Sequence, residues 1–119
     1  MKASLRRLHS PDIDIGTFWP EEEDCFGFLL EAMIGPEGEV SEESFGMQVC
    51  TPAWLAKKHA AEEVVFGRHL VIVFDYDIRR IENRIRNYCE RCVADSWEEI
   101  TPMLGRIGRS EFEDYVAAV

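Results

Sequence analysis

From Phe26 to Ile34 every second residue is apolar: Phe26, Phe28, Leu30, Ala32 and Ile34 alternate with Gly27, Leu29, Glu31 and Met33. A repeat of two places alternate side chains on opposite faces of an extended chain, so residues 25–34 read as a strand. Phe45, Met47 and Val49 repeat the pattern after a turn signal, Gly35-Pro36-Glu37-Gly38. The two runs form a long antiparallel hairpin in which residues whose numbers sum to the mid-seventies face one another, bringing Cys25 towards Cys50. Residues 2–9 also alternate, with Ala3 and Leu5, then Arg7, on one face and Ser4, Arg6 and Leu8 on the other. They predict an edge or partly wet strand ended by Ser10-Pro11. Leu70 to Phe74 is apolar without alternation, which predicts a strand buried on both faces at the centre of the sheet.

The helical period appears elsewhere. Ile78, Ile81, Ile85, Tyr88 or Cys89, and Cys92 recur every three or four residues behind Asp77, a good N-cap. Arg79, Arg80, Arg84, Arg86 and Arg91 line the other side. Thr51-Pro52 is a helix-start pair, cap then proline at the first helical position, and predicts a short helix from Ala53 to about Ala61. Ser96-Trp97-Glu98-Glu99 has the form of a capping box and starts a third helix through Leu104. Pro102 lacks an N–H and should kink or shorten it. Gly105 and Gly108 mark its end, and Phe112 to Val116 fits either a last strand or a helical turn. The order strand, strand, strand, helix, strand, helix, helix predicts an α+β fold. It is a mostly antiparallel sheet of about four to five strands with two to three helices packed on it, in one domain over residues 1–119.

Composition restricts what such a domain does. Of 119 residues, 46% are hydrophobic and 11% aromatic, too many for disorder despite a net charge of −10. Nothing approaches the roughly 18 apolar residues that cross a bilayer, and the first residues form no apolar signal core. The chain therefore reads as cytoplasmic, and its four cysteines as free thiols. The charge is lopsided: residues 12–63 carry thirteen Asp and Glu against Lys57 and Lys58, while the rest nearly balances. Such a field attracts cations and basic proteins and disfavours nucleic acid and anionic membranes.

Chemical motifs are sparse. Cys89-Glu90-Arg91-Cys92 is a CxxC, but it lies near the end of its helix, where no N-terminal N–H groups lower a thiol pKa. A zinc site would need Cys25 and Cys50 brought to it as well. His9, His59 and His69 are dispersed with no HExxH spacing, and the acidic segment lacks a calcium-loop pattern. Asp75 and Asp77 end a strand, yet Asp77 serves as a cap and no activated nucleophile or phosphate loop accompanies them. Neither a catalytic centre nor a cofactor or metal site is expected. Trp54 and Trp97 suit the core. Trp19, between Phe18 and Pro20 and beside Glu21-Glu22-Glu23-Asp24, suits a partner, since an aromatic anchor ringed by charge is the composition of an interface hot spot.

The succession Phe26-Gly27-Phe28, Ala32-Met33-Ile34-Gly35-Pro36, Glu43-Ser44-Phe45, Val49-Cys50-Thr51-Pro52 with Trp54-Leu55, Phe66-Gly67-Arg68-His69, Tyr88-Cys89, Ser96-Trp97-Glu98-Glu99-Ile100, Arg106-Ile107-Gly108 and Glu111-Phe112-Glu113-Asp114-Tyr115 resembles the immunity protein 8 family of bacterial polymorphic toxin systems. The resemblance covers almost the whole chain and departs at Pro102. It implies a small intracellular α+β protein, encoded beside a secreted or contact-delivered toxin, that binds and neutralises that toxin without catalysis. It brings no defined set of toxin-binding residues. Charge and aromaticity nominate them: Phe18 and Trp19 as anchor, and Glu21, Glu22, Glu23, Asp24, Glu37, Glu39, Glu42 and Glu43 as electrostatic contacts to a basic toxin, for example a nuclease. The competing class is a cysteine-based metal-binding or regulatory module without catalytic activity.

Overall fold

A computed structural model describes residues 1–62 and 64–112. The elements are β1 (Ala3–His9), β2 (Gly27–Pro36), β3 (Glu43–Cys50), α1 (Pro52–Lys58), β4 (Leu70–Ile72), α2 (Ile78–Arg91), α3 (Trp97–Leu104) and β5 (Arg109–Ser110). The fold is α+β, as the alternation predicts: a five-stranded, mostly antiparallel sheet with three helices. The ambiguous segment from Phe112 to Val116 lies, beyond Phe112 itself, outside the described residues.

The hairpin carries the sheet. Gly27 pairs with Cys50 and Ile34 with Glu43, so paired numbers sum to 77 throughout. This register puts Phe28, Leu30, Ala32, Ile34, Phe45, Met47 and Val49 on one face, and all seven are buried. The turn lies at residues 37–42, beyond a longer β2 than the Gly-Pro signal predicts, and Gly38 supplies its left-handed φ of 85°. β1 pairs with β2 at the edge, but its register slips between Leu5 and Arg7. The bulge inserts one residue, Arg6, and so reverses the faces of the residues after it. Leu8, opposite Ala32, packs against the core while Arg7 points to solvent, the opposite of the uninterrupted alternation. Arg6 itself is used: its Nη2 donates to the carbonyls of Pro36 and Glu39, both at 2.6 Å, and ties down the turn.

Helices α2 and α3 cover the buried face with Ile81, Ile85, Cys89, Ile100 and Leu104. Their caps are those the sequence predicts. Asp77 Oδ1 accepts from the N–H groups of Arg79 and Arg80, and Ser96 Oγ from that of Glu99. The Glu99 carboxylate reaches back to the Asp95 N–H, one residue before the cap. Pro102 leaves the Glu98 carbonyl without its helical donor. The Thr101 hydroxyl approaches that carbonyl at 3.5 Å, and α3 stops two residues after the proline. Helix α1 lies on the other face. Thr51 Oγ1 caps it, and the Trp54 indole lies so close on Gly27 that a Cβ there would meet the ring at 2.4 Å.

One strand is misplaced by its composition. β4 is not central: the sheet order is β1-β2-β3-β4, with β5 sharing the far side of β3. It runs parallel to β3 over three residues, the intervening chain through α1 supplying the long crossover that parallel pairing requires. Its Leu70 and Val71 are half-buried and its Ile72 exposed. The apolar run is therefore an exposed edge.

Candidate functional site

The acidic segment does not form one surface. Glu21 to Asp24 precede β2, and Glu37, Glu39 and Glu42 come after it. Nine strand steps of about 3.3 Å separate the two groups by roughly 30 Å. At the hairpin end the charges are engaged. Lys2 Nζ lies 3.2 Å from Glu37 Oε2, and Arg7 Nη2 donates to Glu42 Oε1 at 2.9 Å. Glu43 faces inward, where its carboxylate accepts from Trp97 Nε1 and from the Ser110 hydroxyl, each at 2.8 Å. It joins β3, α3 and β5, and Trp97 is half-buried over it.

The opposite end differs. Glu21, Glu23 and Asp24 are exposed with no side-chain partner among the described residues, and Glu22 reaches only Lys57, at 3.8 Å. Phe18 is not an exposed anchor. Its ring packs edge-on against Phe28 and Tyr76, with centroids 5.6 and 5.0 Å away. Phe26 joins the same nest, its centroid 5.8 Å from that of Tyr76. On that base stands Trp19, edge-on to Tyr76 at 6.2 Å and 69% exposed.

Along the segment from Val64 to Phe74 the structure exposes residues that the charge pattern does not nominate: Phe66 at 93%, Phe74 at 77% and Ile72 at 49%. Val64 and Val65 are exposed with them. Ile72 and Val65 share a groove with Leu55 and Ala56 of α1. Phe74 lies over a second groove with Ile81 and Arg84 of α2. Exposed apolar side chains on neighbouring segments are the composition that interaction surfaces share. The signal in the sequence is the dense apolar content of residues 64–74, but it reads equally as core.

The position of this edge depends on His69. Its backbone is left-handed, φ 61°, a conformation that histidine tolerates better than bulkier residues. Two bonds hold it there: its carbonyl accepts from the Gln48 N–H at 2.9 Å, and its ring Nε2–H donates to the Gly105 carbonyl at 2.7 Å. The turn aims the chain along β3.

The remaining chemical groups do not converge. No group of three or more His, Cys, Asp or Glu among the described residues could hold a metal ion. The four cysteines are free thiols. Cys89 and Cys92 face the core, where burial pushes the Cys89 thiol from 9.0 to about 12, the reverse of a redox-active thiolate. Burial also raises Cys50 and Cys92. Cys25 lies beyond the ladder, which begins at Gly27 opposite Cys50. Asp77 is committed as a cap and Asp75 lies 3.5 Å from Arg80. A groove of ≈ 810 Å³ between α3 and β5 has Glu43 in its wall, already engaged by two donors. No helix among the described residues is long and apolar enough to cross a membrane.

These features define a class: a small α+β protein with exposed apolar residues along β4 and its approach and no convergent reactive groups among its described residues. The model of the family Immunity protein 8 matches residues 3–115, and the chain belongs to that family, whose members are immunity proteins of toxin systems. No curated protein and no solved structure matches it.

Proposed function

We propose that this protein is an intracellular immunity protein that neutralises a cognate toxin by stoichiometric binding, without catalysis, through a surface that includes Trp19, Phe66, Ile72 and Phe74. The observation that carries the reading is the exposed Trp19 next to Glu21, Glu23 and Asp24, carboxylates with no side-chain partner among the described residues. Aromatics in the middle of a desolvated patch supply most of the binding energy of protein interfaces, and the charged rim sets the encounter rate.

The carboxylates Glu21, Glu22, Glu23 and Asp24 favour a basic partner, such as a nuclease whose cationic groove would otherwise hold phosphate. Opposite potentials raise association up to about 10^8 to 10^9 per molar per second at low salt. Phe18 contributes by holding Trp19 in place from beneath. At the hairpin end, Glu37, Glu42 and Glu43 are occupied within the fold and Glu39 holds Arg6 through its carbonyl, so these four are not part of the proposed contact.

The test is co-expression with the toxin domain encoded by the neighbouring gene, followed by native mass spectrometry of the purified product. The expected result is rescue of growth and a complex of fixed stoichiometry. A toxin that stays active and unbound in the presence of folded protein contradicts the reading.

A further inference from the structure

The outer edge of β4 carries backbone groups with no partner among the described residues. The His69 carbonyl accepts from Gln48 and the Val73 N–H donates to the Cys50 carbonyl at 2.9 Å. These bonds turn the backbone groups of residues 69, 71 and 73 towards β3. In a strand the intervening groups point the other way, so the N–H and C=O of Leu70 and Ile72 face outwards. β3 is the sole strand paired with β4 among the described residues.

Free edges template further pairing, and proteins blunt them with lysine, proline, bulges or covering loops. This one has neither charge nor proline from Leu70 to Phe74. Its side chains, Ile72 and Phe74, are exposed, and each borders a groove into which an apposed chain could set an apolar residue. The segments around the edge carry Glu21, Glu22, Glu23, Asp24, Glu62, Asp75 and Asp77 against Lys57, Lys58, Arg68, Arg79, Arg80 and Arg84, and of the carboxylates Glu21, Glu23 and Asp24 have no side-chain partner among the described residues. A backbone edge without charge or proline, adjoining apolar grooves and the unpaired carboxylates Glu21, Glu23 and Asp24 together specify an occupant.

We infer that β4 is a docking edge onto which the toxin adds an extended segment, extending the sheet by one strand, with apolar residues at alternate positions and Lys or Arg flanking them. This inference rests on the immunity reading and says how the contact is made. Main-chain hydrogen bonds to Leu70 and Ile72 would supply affinity, and the two grooves the choice of side chain, as in other strand-addition complexes.

The edge has a geometric weakness that makes the inference testable. Ile72→Pro removes an N–H that takes no part in the β3 ladder, so the fold keeps its own bonds while the docking edge loses one. Ile72→Ala removes the side chain and keeps the N–H. The probe is the catalytically inactivated toxin domain from the neighbouring gene, titrated against each variant after its fold is checked by circular dichroism. Ile72→Pro should weaken binding at least tenfold more than Ile72→Ala. Should Ile72→Pro not fold, amide hydrogen exchange on the wild-type complex replaces it, and the Leu70 and Ile72 amides should gain at least tenfold protection. If the wild type binds the toxin while Ile72→Pro matches Ile72→Ala, or those amides gain no protection, strand addition is overturned and toxin binding survives. If the wild type forms no complex, the immunity reading itself falls. A wild-type dimer that Ile72→Pro dissolves without change in toxin affinity assigns the edge to a second copy and also overturns the inference.

Discussion

The two ends of the sheet carry carboxylates in comparable number and differ in what they do with them. At the hairpin end Lys2 pairs with Glu37 and Arg7 with Glu42, the Glu39 backbone carbonyl holds Arg6, and Glu43 is drawn inside by Trp97 and Ser110. At the other end Glu21, Glu23 and Asp24 have no side-chain partner among the described residues and stand beside exposed aromatics. Charge along a sequence therefore identifies a surface only after pairing is subtracted. The carboxylates left unpaired here stand next to the exposed Trp19, and the two together, rather than the acidity, nominate the proposed interface.

The contrast between the ends can be attacked at several points. The strongest blow is to the base on which Trp19 stands. Phe28 is fully buried and supports both Phe18 and Tyr76, so Phe28→Ala should cost about 3–5 kcal/mol, measured by urea unfolding. That is a large part of the stability of a domain of this size, and toxin protection should fail with it. A loss under about 1 kcal/mol, well below the usual cost of such a truncation, would show that the aromatic nest under Trp19 is loosely packed.

Next is the assignment of Glu43 to folding. Glu43→Ala strands the Trp97 N–H and the Ser110 hydroxyl and should cost about 1–3 kcal/mol. Glu43→Gln keeps an acceptor and should cost less. Both should leave toxin affinity within about twofold at temperatures where they are folded, as expected for side chains outside an interface. A specific loss of affinity would return Glu43 to the interface.

The steering role is smaller and confined to rate. Glu21→Gln, Glu22→Gln and Glu23→Gln combined should slow association about tenfold at low salt, flatten its salt dependence and leave the dissociation rate nearly unchanged. The matching triple change at Glu37, Glu39 and Glu42 should do much less, because Lys2 and Arg7 already offset Glu37 and Glu42. Stopped-flow measurement at two ionic strengths separates the two ends.

The thiols under α2 matter only at alkaline pH. Cys89 is neutral when protonated, and burial raises its pKa from 9.0 to about 12, so the folded chain keeps a proton that the unfolded chain releases over that range. Stability should be unaffected below pH 9 and fall as pH rises from 9 towards 12, by up to about 1.4 kcal/mol per unit from this thiol. Thermal melts from below to above pH 9 would show it. An alkaline melt that does not fall would place Cys89 in a wetter site.

Much of this fold is legible in the sequence because its signals are local. Thr51, Asp77 and Ser96 cap their helices through the very side-chain oxygens that make them good caps, and the hairpin register comes from alternation and a single turn. The bulge at Arg6 is not legible, since one inserted residue leaves no mark in a seven-residue strand. The reading of residues 70–74 fails for a different reason. A strand buried on both faces and an edge strand awaiting a partner have the same composition, because both are apolar surface meant to leave water. The candidate site inherits that ambiguity: Trp19 is nominated by its charged neighbours, whereas Phe66, Ile72 and Phe74 carry no such mark, and only the strand order places them outside.

Which end of the sheet meets the toxin is the central question. Calorimetric titration of the cognate toxin domain with two folded variants decides it: Trp19→Ala, Phe66→Ala and Phe74→Ala combined, and Glu37→Gln, Glu39→Gln and Glu42→Gln combined. Three hot-spot truncations at about 2 kcal/mol each should lower affinity by at least a thousandfold. The hairpin variant should bind within about threefold of wild type, as expected when the altered charges lie outside the contact. Undiminished binding by the aromatic variant, with loss in the hairpin variant, would place the interface at the opposite end and contradict the account.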